Sequence, residues 1–120
     1  MKKVSALITL AVMLCVTSTS YALSLKFENK SKWEIHELYF APTDSQEWGP
    51  DQLQDDVIEK NATFTLTKIA KGTYDVKIVD EDSDACEISD VDFTASEHFV
   101  LTDKILLGCQ QKTAEEAEED

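Results

Sequence analysis

The chain has 120 residues with 24 acidic and 11 basic side chains, and its formal net charge is −13 at pH 7. A chain this acidic is repelled by phosphate backbones and anionic lipid surfaces, because such ligands require clustered lysine or arginine. The composition therefore excludes nucleic-acid binding, and the length predicts one small domain.

The first 22 residues have the layout of a secretory signal peptide. Two lysines at positions 2 and 3 precede an apolar run over residues 6–16, and the segment ends in Ser20-Tyr21-Ala22. The apolar run is too short to span a membrane. We therefore predict cleavage after Ala22 and an exported protein, periplasmic or secreted, of bacterial type. Loss of the two lysines would take the net charge from −13 to −15.

Two strands are predicted next. Residues 23–29 alternate apolar and polar side chains, which indicates a half-buried strand. The segment 33–41 carries four large apolar residues, two of each parity: Trp33, Ile35, Leu38 and Phe40. A strand with a bulge near His36-Glu37 brings all four to one face, whereas a short helix is the alternative. We favour the strand because Pro42 follows it and because aromatic residues are typical of strands.

The loop that follows is the first candidate for a functional surface. Asp44, with Glu47 three residues later, resembles a capping box and predicts a single helical turn within residues 44–54. Trp48 has two interpretations: its indole covers an open end of the fold, or it faces a ligand. We name Tyr39 and Trp48 as a candidate binding surface.

Short strands continue along the rest of the chain. Residues 57–69 predict a strand end, a turn and a second strand, and further strands are predicted at 73–80, near 86–93 and, as one or two more, within 98–109. Six or seven short strands without a helix of three turns predict an all-β fold. We expect a small antiparallel β-sandwich, Ig-like or related, or a small barrel, over residues 23–109.

Cys86 and Cys109 are the two cysteines that follow the signal segment. An even pair in an exported protein predicts a disulfide. The bridge would close a loop of about 24 residues and stabilise the fold by roughly 3 kcal/mol. Reactive or metal-binding thiols are the alternative, although no CxxC spacing is present.

The C-terminal residues 110–120, QQKTAEEAEED, contain no large apolar side chain. Such a segment buries too little surface to offset its ordering entropy. We predict a disordered acidic tail with some helical tendency over 114–119, whose deletion from residue 111 leaves the melting temperature nearly unchanged. Contact with a basic partner is the alternative.

Part of the chain resembles a family of small exported bacterial proteins. The likeness covers about residues 25–80 and rests on these positions: Ile35, Leu38-Tyr39, Ala41-Pro42, Trp48-Gly49, Leu53, Val57-Ile58 and Tyr74-Asp75-Val76. Members typically have an Asn in the first strand, and some carry an argininosuccinate lyase label through name transfer. The chain is far too short for that enzyme, so the resemblance implies export and no particular activity. It departs from the family pattern at Gly72, near the position of a frequent Cys, and at the hairpin tip Asp82-Ser83-Asp84.

The densest carboxylate cluster lies within residues 79–92, where Asp80, Asp82 and Asp84 alternate along the chain. Calcium takes six to eight oxygen ligands, and this run can supply three. The spacing is not that of an EF-hand, and an acidic, solvated hairpin is the other interpretation. Calcium is the one cofactor that the sequence suggests.

The sequence contains no pattern that points to catalysis. His36 and His98 each lie beside glutamates and are interpreted as surface residues, and no nucleophile elbow, HExxH or phosphate-binding loop is present. We expect a non-catalytic binding or interaction module whose acidic surface favours a basic protein or a cationic ligand. A calcium-linked module is the first alternative, and a hydrolase of envelope substrates is the second.

Overall fold

The computed structural model describes residues 23–118, so the predicted signal peptide and its cleavage site lie outside the described residues. Six strands precede one helix. The elements are β1 (Leu23–Lys30), β2 (Ile35–Pro42), β3 (Thr63–Ile69), β4 (Gly72–Asp80), β5 (Ala85–Phe93), β6 (Glu97–Thr102) and α1 (Asp103–Glu118).

The strands form two three-stranded sheets. The first sheet has the order β3-β1-β6, with β1 antiparallel to β3 and parallel to β6. The second sheet has the order β2-β4-β5 and is antiparallel throughout. Apolar side chains from the inward faces of the two sheets pack together in two adjoining clusters, so the predicted small all-β sandwich is confirmed.

The core follows from the alternation of side chains along each strand, because successive residues of a strand point to opposite faces. In β1 and β4, alternate residues point inward. The residues paired with them on the neighbouring strands point to the same side, and together they form the apolar layer between the sheets. The most deeply buried side chains are Phe27, Ile35, Leu38, Ile78, Cys86, Phe93, Leu101 and Leu106.

The bulge predicted in β2 is present. The register of β2 against β4 shifts between Ile35, which pairs with Asp80, and Glu37, which pairs with Val79. The extra residue, His36, reverses the parity, so that Ile35 and Leu38 are both fully buried. The shift also places Tyr39 on the outer face of the second sheet.

A buried asparagine on β1 forms hydrogen bonds with two neighbouring segments of the chain, one at Trp33 and one at Ile58. The Asn29 side chain donates hydrogen bonds to the carbonyl oxygens of Trp33 at 2.7 Å and Ile58 at 3.2 Å. Its Oδ1 accepts from the Ser31 backbone N–H and hydroxyl. Asn29 is completely buried, and these bonds satisfy its amide, since an unpaired buried amide would destabilise the fold. The bend at residues 31–33, directly after β1, is therefore organised by this one side chain.

The segment 43–62 contains no helix, so the predicted helical turn within residues 44–54 is wrong. Hydrogen-bonded turns replace it, and the Asp51 carboxylate accepts the backbone N–H groups of Leu38 and Leu53, both at 2.9 Å. At the start of the loop Ser45, rather than the predicted Asp44, makes the local hydrogen bonds. Its hydroxyl donates to the Glu47 carbonyl at 2.9 Å and accepts the Glu47 N–H at 3.4 Å.

The end of the sequence differs most from expectation. A strand was predicted to extend towards residue 109, but β6 ends at Thr102, whose hydroxyl accepts the Ile105 N–H as an N-cap, and α1 begins. Leu106 is buried, whereas Ile105 and Leu107 are exposed. The residues that we predicted to be a disordered tail are helical as far as Glu118.

Helix α1 is held against the second sheet by one covalent bond and two hydrogen bonds, to β5 and to the end of β4. The Cys86–Cys109 disulfide is present, as predicted, with a Cα–Cα distance of 5.1 Å. Thr113 Oγ1 accepts the Glu87 N–H at 2.9 Å, and Gln110 donates to Asp80 at 2.7 Å. No helix within residues 23–118 is long and apolar enough to cross a membrane.

Candidate binding surface

Tyr39 and Trp48, the two aromatic residues named from the sequence, lie together on the outer side of the second sheet. Their ring centres are 6.3 Å apart and the rings are tilted by 55°. Tyr39 comes from β2 and Trp48 from the loop that follows it. The structure therefore brings together two aromatic residues that are nine positions apart in the chain.

A lysine completes the cluster. Lys77 pairs directly with Tyr39 across the β2–β4 ladder. Its Nζ lies 5.6 Å from the centre of the Tyr39 ring and 6.0 Å from that of Trp48. Both distances are those of a cation–π contact, in which the ammonium is attracted to the negative face of the ring. We call Tyr39, Trp48 and Lys77 the aromatic cluster.

Two carboxylates flank the aromatic cluster. The Tyr39 hydroxyl donates a hydrogen bond to Glu37 Oε1. This bond, with desolvation and the negative charges of Glu37 and Asp51, raises the pKa of Tyr39 to about 12. The phenol therefore remains protonated at neutral pH and acts as a hydrogen-bond donor rather than as a general base.

The structure locates Trp48, for which the sequence allowed two interpretations: a cover over an open end of the fold or a ligand-facing residue. The indole is half-buried and lies outside both apolar core clusters, the larger of which contains Leu53 and Ile58 from the same connection. Leu53, five residues later, is 2% exposed and packs in the core. Trp48 lies against Tyr39 and Lys77, outside the core clusters, and whether it covers the end of the fold or faces a ligand stays a prediction.

Asp51 fastens the loop of the aromatic cluster to β2, although no pattern in the sequence singled it out. Its Oδ1 holds β2 and the returning chain together, and the Gln52 N–H donates to the Leu38 carbonyl at 2.7 Å. The loop is thus fastened to the edge of β2, three residues after Trp48. Lys77 was also missed, because only the register of β2 against β4 shows which outward residue lies beside Tyr39.

The predicted carboxylate cluster has the geometry of a tight hairpin tip. Carboxylate oxygens of Asp80, Asp82 and Asp84 lie within 4.8 Å of one another. Asp80 is 3% exposed, and its Oδ1 accepts the N–H groups of Asp82 and Asp84 at 2.9 and 3.0 Å. Its Oδ2 accepts the Gln110 amide at 2.7 Å. Asp80 thus links the hairpin to α1, and a cation would have to compete with these bonds.

The two histidines lie on different sheets. His36 Nε2 is 3.2 Å from Glu34 Oε1 on β2's side of the sandwich, and His98 Nε2 is 3.2 Å from Glu28 Oε1 on the first sheet. Each imidazole therefore has one carboxylate neighbour, as expected for residues of a polar surface. Neither belongs to the aromatic cluster.

Comparison with known proteins adds no relative. No protein-family model, no curated protein and no solved structure matches the chain. The resemblance to small exported bacterial proteins therefore stays a prediction. What the chain does has to be argued from its own surface.

Proposed function

We propose that this protein is an exported, non-catalytic binding module that takes a basic protein on the aromatic cluster. The observation that carries the proposal is the presence of two half-buried aromatic rings and a lysine on one rigid outer face. Tyrosine and tryptophan are enriched among the residues that dominate protein interfaces. They offer a large contact area at a low cost in side-chain entropy.

The rigidity of the aromatic cluster supports a binding role. Tyr39 lies within a paired strand and Trp48 is held near it by a loop that Asp51 fastens to the same strand. A surface that is ordered before binding loses less conformational entropy when a partner docks. The aromatic cluster therefore meets two conditions for a specific interface, aromatic contacts and preorganisation.

The charge of the chain supports a basic partner. Residues 35–51, from the start of β2 to just past Trp48, carry four acidic residues and no lysine or arginine: Glu37, Asp44, Glu47 and Asp51. With a net charge of −13 for the whole chain, long-range attraction would favour a positively charged protein. Lys77 is the one cation in the aromatic cluster, and its ammonium is already engaged by the rings of Tyr39 and Trp48.

The disulfide supports export. Such bonds form and persist in oxidising compartments, and they are rare in the cytosol. A bridge between Cys86 and Cys109 therefore agrees with a periplasmic or secreted location, which the signal-like N-terminus predicts independently.

The test is a comparative pull-down from envelope extract with residues 23–120 as bait. We expect the wild type to retain a basic protein, identified by mass spectrometry, at low salt and to release it at roughly 0.5 M salt, where charges are screened within a few ångströms. A Tyr39→Ser, Trp48→Ala double variant should retain about tenfold less, because interface aromatics commonly contribute more than 1 kcal/mol each.

The matched control is Val100→Ala, which removes an exposed apolar side chain from the first sheet. This variant should retain the partner as the wild type does. Circular dichroism should show that all three proteins are folded. Equal retention by the wild type and the double variant, or retention of no discrete protein, would contradict the proposal.

A calcium-linked module is the second candidate. The observation that favours it is the convergence of the Asp80, Asp82 and Asp84 carboxylates within 4.8 Å. Asp82 and Asp84 are exposed, so their oxygens are accessible to an ion. Extracellular calcium modules commonly bind at 0.1–1 mM, so roughly millimolar calcium is the appropriate probe.

Thermal unfolding with calcium and then with chelator tests this candidate. A calcium site predicts a higher melting temperature with calcium in the wild type and in the control Asp55→Asn, Asp56→Asn. The Asp82→Asn, Asp84→Asn variant, which keeps the buried Asp80 intact, should lose the effect. Equal melting temperatures of the wild type in calcium and in chelator would remove calcium from consideration.

A further inference from the structure

The two sheets line an apolar cavity that opens between them. Its volume is about 390 Å³, which lies within the range of about 300–1,000 Å³ for small-molecule sites. The wall on the first sheet includes Leu25, Phe27 and Phe99, and the wall on the second includes Ile88 and Val91. The cavity lies away from the aromatic cluster.

The cavity opens because of how the sandwich is closed along one side. β5 and β6 are edge strands of their respective sheets, and both contribute to the lining. The short connection 94–96 joins them at one end, while α1 packs against both at the other. The gap between the two edges is therefore a slot, and Ile88, Val91 and Phe99 remain only partly buried beside it.

One unpaired carboxylate lies at the opening. Glu97 is in register with Leu25 in the parallel β1–β6 ladder, so its side chain is on the same, inward face as Leu25. Among residues 23–118 it has no hydrogen-bond or ion-pair partner. Its neighbours at the opening are engaged, since Asp92 accepts the Thr73 hydroxyl at 3.0 Å and His98 contacts Glu28.

We propose that this slot binds a hydrophobic amine, with the apolar part in the cavity and the ammonium paired with Glu97. Phenylalanine, isoleucine and valine side chains supply the apolar lining, and burial of a ligand's hydrocarbon removes both surfaces from water. The negative charge at the opening selects a cation over a neutral or anionic head group. The site and the ligand class are independent of the aromatic cluster and its protein partner.

The test uses four probes of defined chemistry: decylamine, decanol, decanoate and ethylamine. Titration calorimetry below the aggregation concentration of each probe should show the tightest binding for decylamine, weaker binding for decanol and none for ethylamine, which lacks the apolar chain. Decanoate should bind more weakly than decanol because of Glu97 and the acidic protein around it.

Two variants separate the contributions of charge and cavity. Glu97→Gln, at an exposed position, should weaken decylamine about two- to fivefold and leave decanol unchanged, as expected for a solvent-exposed ion pair. The matched control Glu59→Gln, also exposed, should change neither. Val91→Phe should weaken both probes by filling the cavity, and Ile88→Phe serves the same purpose if the first variant does not fold.

The proposal is supported by selectivity for decylamine that Glu97→Gln removes and by loss of both long-chain probes in a folded, filled-cavity variant. Absence of binding by decylamine and decanol, decanoate binding as tight as that of decylamine, or unchanged binding in the filled cavity would each overturn it.

Discussion

Asp51 accepts a hydrogen bond from the backbone N–H of Leu38 at 2.9 Å, although the two residues are 13 positions apart. The same oxygen atom accepts the Leu53 N–H. One carboxylate therefore ties the middle of β2 to the chain that returns from the loop. The loop that carries Trp48 is thereby fastened to the strand that carries Tyr39.

Replacement of Asp51 measures how much its two hydrogen bonds contribute to the stability of the fold. Asp51→Ala leaves two N–H groups without their acceptor and should lower the free energy of unfolding by about 1–3 kcal/mol in urea titrations. Asp51→Asn keeps an oxygen acceptor and should lower it by less. Equal losses for the two variants would show that the negative charge, and not the acceptor, is what matters.

Trp48 and Leu53 should differ sharply in their contribution to stability. Leu53 is buried in the core, so Leu53→Ala should lower the free energy of unfolding by about 2–5 kcal/mol. Trp48→Ala removes a half-buried side chain from the outer face and should cost on the order of 1 kcal/mol or less. Urea unfolding of both variants tests this, and a tryptophan cost equal to that of leucine would restore Trp48 as a core residue.

Tyr39 should ionise about two pH units above a free tyrosine. Subtracting the ultraviolet titration curve of Tyr39→Phe from that of the wild type isolates this phenol, which should ionise near pH 12. Glu37→Gln should shift the curve towards the ordinary value of about 10. A wild-type midpoint at that ordinary value would contradict the hydrogen bond to Glu37.

The same bond has a defined effect on stability. Because the pKa of Tyr39 is higher in the folded chain than in the unfolded chain, folding favours the protonated phenol. Its contribution is fully present below about pH 10 and is lost as the pH rises towards 12. The stability difference between the wild type and Tyr39→Phe should therefore shrink over that interval.

The helix α1 divides into a part that packs and a part that does not. Residues 114–118 are exposed, and deletion of residues 114–120 keeps the disulfide and the hydrogen bonds of Gln110 and Thr113, so the melting temperature should change by about 2 °C or less. Deletion of residues 110–120 removes the hydrogen bonds of Gln110 to Asp80 and of Thr113 to Glu87, and should cost about 1–3 kcal/mol. Equal melting temperatures for both truncations would return this segment to the solvated tail first predicted from its composition.

Much of the sandwich is visible in the sequence because burial imposes a period of two on a strand. Leu25 and Phe27 show it in β1, and the change of parity around His36 shows the bulge in β2. The disulfide follows from the number of cysteines and the expectation of export. In each case the information is local or a matter of counting.

The parts that were missed depend on contacts between distant segments. Helix α1 buries Leu106 as its one fully buried apolar residue, and its further contacts come from Asp103, Cys109, Gln110 and Thr113, which give no apolar helical period. The Ile105-Leu106-Leu107 run therefore resembled a strand. The cavity is equally invisible in the sequence, because it depends on how far apart the edges of β5 and β6 lie.

The aromatic cluster as a docking surface is tested most directly by photocrosslinking in cells. A p-benzoylphenylalanine at Gln46, exposed and two residues before Trp48, is compared with one at Thr65, exposed on β3 of the other sheet. We predict one discrete adduct with a basic protein from position 46 and none from position 65, and Trp48→Ala should abolish the adduct. Adducts of equal yield from both positions, or no adduct from position 46, would contradict the account.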